Sequence, residues 1–143
     1  MVDSYDTFNF VEKVVGEELY DLICSRTGRI VLRPDSGDPK EQVLGILTRL
    51  EQIFGATLNT KGYKVINENV GVIQGDGMHR ESIKELYQYI IGNGYSADNL
   101  VVGSGGGLLQ QDMNRDTQRF AIKASYGEKQ GVPFNIQKKP KTD

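Results

Sequence analysis

Four of the five residues from 103 to 107 are glycine, with Ser104 among them. Such a run lets successive backbone N–H groups turn toward one point, a geometry that binds phosphate without side-chain charge, and more so where a helix starts directly after it. Arg115, a short way downstream, would add a bidentate clamp on the same anion. A tight turn with positive φ accounts for one or two glycines and poorly for four; the pattern by itself leaves both readings open. Arg33, Asp35 and Asp76 form a second group. Two carboxylates and a guanidinium at the ends of neighbouring strands would hold ribose hydroxyls, a Mg²⁺ or a polar ring substituent. Asp35 and Ser36 would also serve to cap a helix beginning near Pro39, although capping leaves Arg33 unexplained. Asp76-Gly77 would equally be turn chemistry. His79, the single histidine, falls at a helix entrance with no carboxylate partner at a recognisable spacing, and reads as a solvated surface residue. Tyr5, Tyr63 and Tyr126 have faces that would stack on a base, but ordinary packing is the simpler reading.

Strand ends must hold these groups, and the sequence supplies them. Ile30-Val31-Leu32, Val70-Gly71-Val72-Ile73 and Leu100-Val101-Val102 are short β-branched runs, each leading into a glycine- or proline-containing loop, which is the pattern of buried parallel strands. Between them lie helical stripes: Phe8, Val11, Val15, Leu19 and Leu22; Val43, Leu47, Leu50 and Phe54 after Pro39; Ile83, Leu86, Ile90 and Ile91 before Gly92 and Gly94. Each stripe would face the core. Alternating helices and strands predict an α/β fold with a parallel sheet, whose ligand groups collect at the carboxyl ends of the strands. Residues 56–69 read as an excursion between helix and strand. Residues 119–126 alternate polar and apolar, with Phe120, Ile122 and Ala124 on one side, and predict an antiparallel strand followed by another at 134–137. The expected division is therefore 1–118 for the α/β part and 119–143 for an antiparallel extension and tail. Asp3-Ser4-Tyr5-Asp6 resembles a loop leaving a strand, so the chain is expected to begin within a β/α repeat.

The balance of 38% hydrophobic and 25% charged residues in 143 is that of one soluble globular domain. A net charge of -2 gives no global pull toward nucleic acid or anionic membrane. The single cysteine, Cys24, excludes an internal disulfide, argues against a cysteine metal site, and reads as a small buried residue on a helix. No apolar run approaches membrane-spanning length, and the first residues are not signal-like; a cytoplasmic location is expected. The basic segment 137–141 reads as a solvated terminus.

Several ordered motifs carry a resemblance over nearly the whole chain. Ile30-Val31-Leu32-Arg33-Pro34-Asp35-Ser36-Gly37-Asp38-Pro39, Lys61-Gly62-Tyr63-Lys64, Val72-Ile73-Gln74-Gly75-Asp76-Gly77, Gly103-Ser104-Gly105-Gly106-Gly107-Leu108-Leu109-Gln110, Asn114-Arg115-Asp116 and Lys123-Ala124-Ser125-Tyr126 resemble the carboxy-terminal portion of nicotinamide phosphoribosyltransferases. The resemblance implies a partial, irregular (β/α) barrel and a homodimer with active sites at the subunit interface. It implies synthesis of nicotinamide mononucleotide and pyrophosphate from nicotinamide and phosphoribosyl pyrophosphate, with Mg²⁺, and with ATP as a stimulating co-substrate. By the same resemblance Asp3 and Arg33 line the nicotinamide and ribose region, and Asp35 contacts ribose hydroxyls. Gly75 and Asp76 meet the ribose, while Gly105, Gly106 and Arg115 hold the 5′-phosphate. Lys123 and Lys138 match positions that face pyrophosphate or nucleotide phosphates. Asp35 and Arg33 are the expected catalytic pair, with the carboxylates stabilising an oxocarbenium-like ribose. The family's phosphorylated histidine and its aromatic clamp on the nicotinamide ring have no counterpart here, and His79 does not match that histidine. The isolated chain is therefore expected to be inactive and to associate with itself or with a complementary amino-terminal chain. A nicotinate-using relative, or a non-catalytic phosphate-binding or subunit-association module, are the alternatives.

Overall fold

A computed structural model describes residues 1–110, 113, 114, 116–120 and 122–137. They fall in two compact units, Met1–Leu109 and Gln110–Asp143.

The first unit is built on an open sheet of three parallel strands, β1 (Ile30–Leu32), β4 (Val70–Gln74) and β5 (Leu100–Val102), with β4 in the middle. The three runs expected as strands are the three that pair. The register puts Leu32, Val72 and Leu100 in one row, and all three are buried. Because side chains alternate across a strand, Val31, Ile73 and Val101 point the other way, and Val31 and Val101 are 42% and 52% exposed. Helices therefore cover one face of the sheet and leave the other open.

The covering layer is made by α3 (Pro39–Phe54) and α4 (Arg80–Gly92), with α1 (Thr7–Asn9) running into a π-helix at Phe10–Glu18 and then α2 (Tyr20–Ser25). Helix α3 starts where Asp38 accepts hydrogen bonds from the Lys40 and Glu41 amides at 2.9 and 3.0 Å, with Pro39 pre-set in the first turn. It stops at Gly55, whose φ of 79° no side chain tolerates well. The cap is thus Asp38 and not Asp35 or Ser36, which are free for other contacts. Val43, Leu47, Leu50 and Phe54 are all buried, as their spacing predicts.

Two stripes need correcting. In the first, the N–H of Leu19 donates to the Val14 carbonyl, five residues back, so the helix is wider there and its phase drifts. Val11, Val15 and Ile23 become the buried positions, and Leu22 is left 61% exposed. On α4, Leu86 and Ile90 are buried but Ile91 lies on the exposed side. Cys24 sits on α2 as expected but is exposed, not buried, because the same phase drift gives Ile23 the core position.

Residues 56–69 are more ordered than an excursion. They form an antiparallel hairpin of β2 (Ala56–Leu58) and β3 (Lys64–Ile66). Asn59 shapes its loop by accepting from the Lys61 and Tyr63 amides, both at 3.0 Å. Lys64 then pairs with Glu51 of α3 at 2.7 Å, and the Tyr95 hydroxyl donates to the same carboxylate. The Lys61-Gly62-Tyr63-Lys64 motif is explained as this clasp. The buried Asn99 fastens it from inside, accepting from the Ile66 amide and donating to the Lys64 carbonyl.

In the second unit, β6 (Tyr126–Lys129) and β7 (Val132–Asn135) form an antiparallel hairpin. The antiparallel character is as expected, but the strands lie elsewhere: Phe120 and Ile122 are exposed and outside any strand, and Ala121 is not among the described residues. Gly131 (φ 77°) and Gln130 (φ 52°) make the turn, which puts the first strand later and the second two residues earlier than simple alternation suggests.

Candidate functional site

Loops leaving the carboxyl ends of β1, β4 and β5 meet on one side of the sheet, and the contacts among them can be followed residue by residue. Arg33 follows β1, and its Nη2 donates to Asp35 Oδ1 at 3.1 Å. The pair is 44% and 34% exposed, so it orients both groups more than it stabilises the fold. The Asp35 amide donates to Asp3 Oδ2 at 3.1 Å. The Val2 amide donates to the Arg33 carbonyl at 3.1 Å and holds the amino-terminal segment against the end of β1. Asp3, Arg33 and Asp35, expected together, are brought together. The Ser36 hydroxyl, with the Asp35 amide behind it, holds the Asp3 pKa below its ordinary value, so Asp3 stays ionised into mildly acidic solution.

From Arg33 the site continues to β4. A β-carbon on Gly75 would lie 3.4 Å from the Arg33 Nη2 and 3.5 Å from its Cζ, so the guanidinium rests against the bare backbone at Gly75. Two turns of the pleat earlier Arg29 lies over Gly71 in a similar way, where a β-carbon would stand 2.9 Å from the Arg29 Cδ. Equal four-residue spacing of Arg29/Arg33 and Gly71/Gly75 was the sequence signal for this packing, and it is readable only once the strand register is known. Asp76 is exposed beside Gly77, whose φ is 61°; it does sit in a turn, at the strand end where a ligand group belongs.

The glycine-rich loop joins next. Gly103 donates its amide to the Gln74 carbonyl at 2.9 Å and faces the Gly75 Cα, 3.7 Å from where its own β-carbon would be. Ser104 donates its hydroxyl to the Met78 carbonyl at 2.6 Å. A β-carbon on Gly107 would approach that carbonyl oxygen to 3.0 Å. Gly106 opens the short helix α5 (Gly106–Leu109). None of Gly103, Gly105 and Gly107 has a positive φ, so a positive-φ turn does not explain these three glycines. Gly107 is glycine for packing, whereas Gly105 has, among the described residues, nothing within 4 Å of where a β-carbon would stand. Sequence reasoning missed Ser36, Ser104 and Met78; serine beside glycine in a loop was the available signal for the first two.

The other candidates are placed as follows. His79 is the N-cap of α4, its amide and carbonyl both bonded to the Ser82 hydroxyl. It does have a carboxylate beside it, Glu81, at 3.3 Å from Nδ1; two residues apart at a helix entrance, that pair is local. Tyr5 is fully exposed and not packed, standing at the rim of a hollow of about 330 Å³ beside the Asp3 loop. Lys123 is exposed in the second unit. Arg115 and Lys138 lie outside the described residues. Among the described residues no three His, Cys, Asp or Glu side chains converge on a point that would hold a metal, and no helix is long and apolar enough to cross a membrane.

An open α/β sheet with polar and glycine loops gathered at its strand ends is the layout of a protein that holds a ligand there. The chain belongs to the nicotinate phosphoribosyltransferase (NAPRTase) family, whose model matches residues 2–143. Among its relatives is the nicotinamide phosphoribosyltransferase of Xanthomonas campestris, 43% identical over 141 residues, which cover 99% of this chain and 30% of the relative. The nicotinamide phosphoribosyltransferase of Mycoplasma pneumoniae is 32% identical over 156 residues, 100% of this chain and 34% of the relative. That of Acinetobacter baylyi is 36% identical over 128 residues, 80% of this chain and 25% of the relative. The chain spans about a third or less of the length of these curated relatives.

Proposed function

We propose that this chain supplies the ribose-phosphate side of a phosphoribosyltransferase site that makes nicotinamide mononucleotide and pyrophosphate from nicotinamide and phosphoribosyl pyrophosphate. The observation that carries the reading is Gly105: it has neither a positive φ nor, among the described residues, a neighbour within 4 Å of a would-be β-carbon, so nothing in the described part of the chain demands glycine there. Close approach of a ligand phosphate to bare backbone does. The other assignments carry over from the resemblance to nicotinamide phosphoribosyltransferases. Asp35, oriented by Arg33, faces ribose hydroxyls; Gly75 and Asp76 meet the ribose; Gly105, Gly106 and Arg115 hold the 5′-phosphate. Asp3 sets the Asp35 loop. Lys123 and Lys138 are cations for phosphate or pyrophosphate. Developing positive charge on the ribose would be stabilised by Asp35 and Asp76.

Mg²⁺ fits this site only as an ion carried in on pyrophosphate. The described residues offer isolated carboxylates and no cage, and Mg²⁺ commonly takes one or two protein carboxylates and completes its shell with substrate phosphates and water. Bound that way, it would neutralise charge on the leaving pyrophosphate. ATP as a stimulating co-substrate, and a homodimer or a complementary chain closing the site, belong to the same proposal. The open sheet face with Val31 and Val101 supports association, since parallel sheets are ordinarily covered on both faces.

Calorimetric titration of the chain with nicotinamide mononucleotide tests the reading. Saturable binding that is lost in Asp35→Ala and in Arg115→Ala is expected. A demonstrably folded chain that binds neither nicotinamide mononucleotide nor nicotinate mononucleotide would rule out a preformed ribose-phosphate site.

A further inference from the structure

Among the described residues two buried side-chain oxygens have no hydrogen-bond donor from the protein, Gln74 Oε1 and Gln42 Oε1, and each belongs to a residue that supports one of the site loops. Gln74 ends β4 and is 3% exposed, on the helix-covered face with Val70 and Val72. Its Nε2 donates to the Asp76 carbonyl in a long bond of 3.4 Å, while its own carbonyl accepts the Gly103 amide. One residue thus grips the Gly75–Asp76 turn through its side chain and the glycine-rich loop through its backbone. Turning the amide over gives no relief, because the oxygen would then face the Asp76 carbonyl oxygen, acceptor against acceptor. Gln42, in the first turns of α3, packs its Nε2 against Gly37, 3.1 Å from a would-be β-carbon there.

An amide buried with an unpaired oxygen destabilises a fold relative to an apolar side chain of the same shape. Core positions 70 and 72, on the same face of the same strand, are both valine, so the fold itself asks for an apolar residue at 74. Departures from such local rules concentrate where function requires them.

We propose that Gln74 is a positioning residue: its buried amide sets the Gly75–Asp76 turn for the ribose phosphate and lowers the stability of the ligand-free chain in doing so. The ligand part of this statement rests on the ribose-phosphate reading above; the part concerning the turn and the stability does not. A glutamine that merely held the fold together would take stability and binding down together when removed. Gln74 is expected to move them in opposite directions.

The test compares the 143-residue chain with its Gln74→Met variant, methionine being of similar length and bulk without the amide. Three quantities are read: the melting temperature, hydrogen exchange at backbone amides 75–78 against those of 70–73, and calorimetric binding of nicotinamide mononucleotide. The expected result is an unchanged or raised Tm, faster exchange confined to 75–78, and binding weakened by about tenfold, the scale of one or two hydrogen bonds. A lowered Tm, or exchange at 75–78 that does not change, overturns the proposal, as does undiminished binding in the variant when the parent chain binds. If the parent chain binds no mononucleotide, the ribose-phosphate reading falls, and Tm and exchange still decide the role of Gln74.

Discussion

The Met78 carbonyl is the point where two site loops touch, and a double-substitution cycle there asks whether they behave as one unit. It accepts the Ser104 hydroxyl at 2.6 Å, and a β-carbon on Gly107 would stand 3.0 Å from it. Ser104→Ala removes one partly buried hydrogen bond, worth about 1 kcal/mol net. Gly107→Ala presses a methyl group against backbone, which cannot swing aside as a side-chain tip would. Overpacking of this kind costs about 1–3 kcal/mol, offset by up to about 1 kcal/mol because a helical glycine has been removed. Each single variant should therefore be destabilised by about 1 kcal/mol. The effects share one atom. Once Gly107→Ala has displaced the carbonyl, the Ser104 bond is already weakened, so the double variant should fall short of the sum by about 0.5–1 kcal/mol. Urea unfolding of the four proteins at constant m-value measures this directly. Additivity within about 0.3 kcal/mol would mean that the two loops do not share the carbonyl, and the account of Gly107 as a packing glycine would be refuted.

Other outcomes follow from the same structure. Asp38→Ala should lower stability by about 0.5–2 kcal/mol through loss of the α3 cap, read as a shift in the urea midpoint; no shift would return the capping role to another residue. Gly105→Ala should leave the urea midpoint within about 0.5 kcal/mol of the parent, since its site is open, yet weaken nicotinamide mononucleotide binding; unimpaired binding would remove the phosphate from this loop. Burial pushes the Glu51 pKa up, but the bonds from Lys64 and Tyr95 together outweigh it and leave the carboxyl below its ordinary value of 4.5. Its contribution to stability is therefore full above that ordinary value and is lost as pH falls through the lower folded value. Melting curves taken between about pH 3 and 6 should show less acid sensitivity in Glu51→Gln than in the parent, and equal sensitivity would assign the acid lability elsewhere.

Much of this architecture was legible because it depends on local chemistry repeated at fixed spacing. Strands β1, β4 and β5 announce themselves as β-branched runs with glycine or proline behind them, and α3 as a stripe behind Asp38-Pro39. Errors arose where one bond pattern shifts everything after it. A stretch of five-residue hydrogen bonding over Phe10–Glu18, ending with Leu19 to Val14, is enough to exchange Leu22 for Ile23 in the core and to turn Cys24 outward. No composition or moment argument registers that stretch in advance, because the residues remain helical throughout. The hairpin of β2 and β3 was hidden for another reason: its strands are three residues long, below the length at which alternation is readable, and its order comes from Asn59, Asn99 and the Glu51–Lys64 pair. The site was legible as types and not as contacts. Asp3, Arg33 and Asp35 could be gathered from motif order, but the seating of Arg33 on Gly75 needs the register of a neighbouring strand.

The two faces of the parallel sheet show why the contacts that make the site also leave it unfinished. Residues 32, 72, 74 and 100 face the helices and are buried, whereas Val31 and Val101 face outward. Arg33 and Gly75 belong by alternation to that outward face, as does Gly71 beneath Arg29. Small residues on the central strand let two arginines of a neighbouring segment approach it closely: a β-carbon at 71 would press on the Arg29 stem at 2.9 Å, whereas one at 75 would only touch the Arg33 guanidinium at 3.4–3.5 Å. The charged groups of the site and the uncovered valines therefore share one surface. A layer that buried Val31 and Val101 would also run past Arg33, lower the dielectric around the Arg33–Asp35 pair and strengthen a contact that is weak while exposed. On the function proposed above, covering the apolar face and tightening the ligand groups would be the same event, and association would then raise ligand affinity through residues that need not touch the ligand.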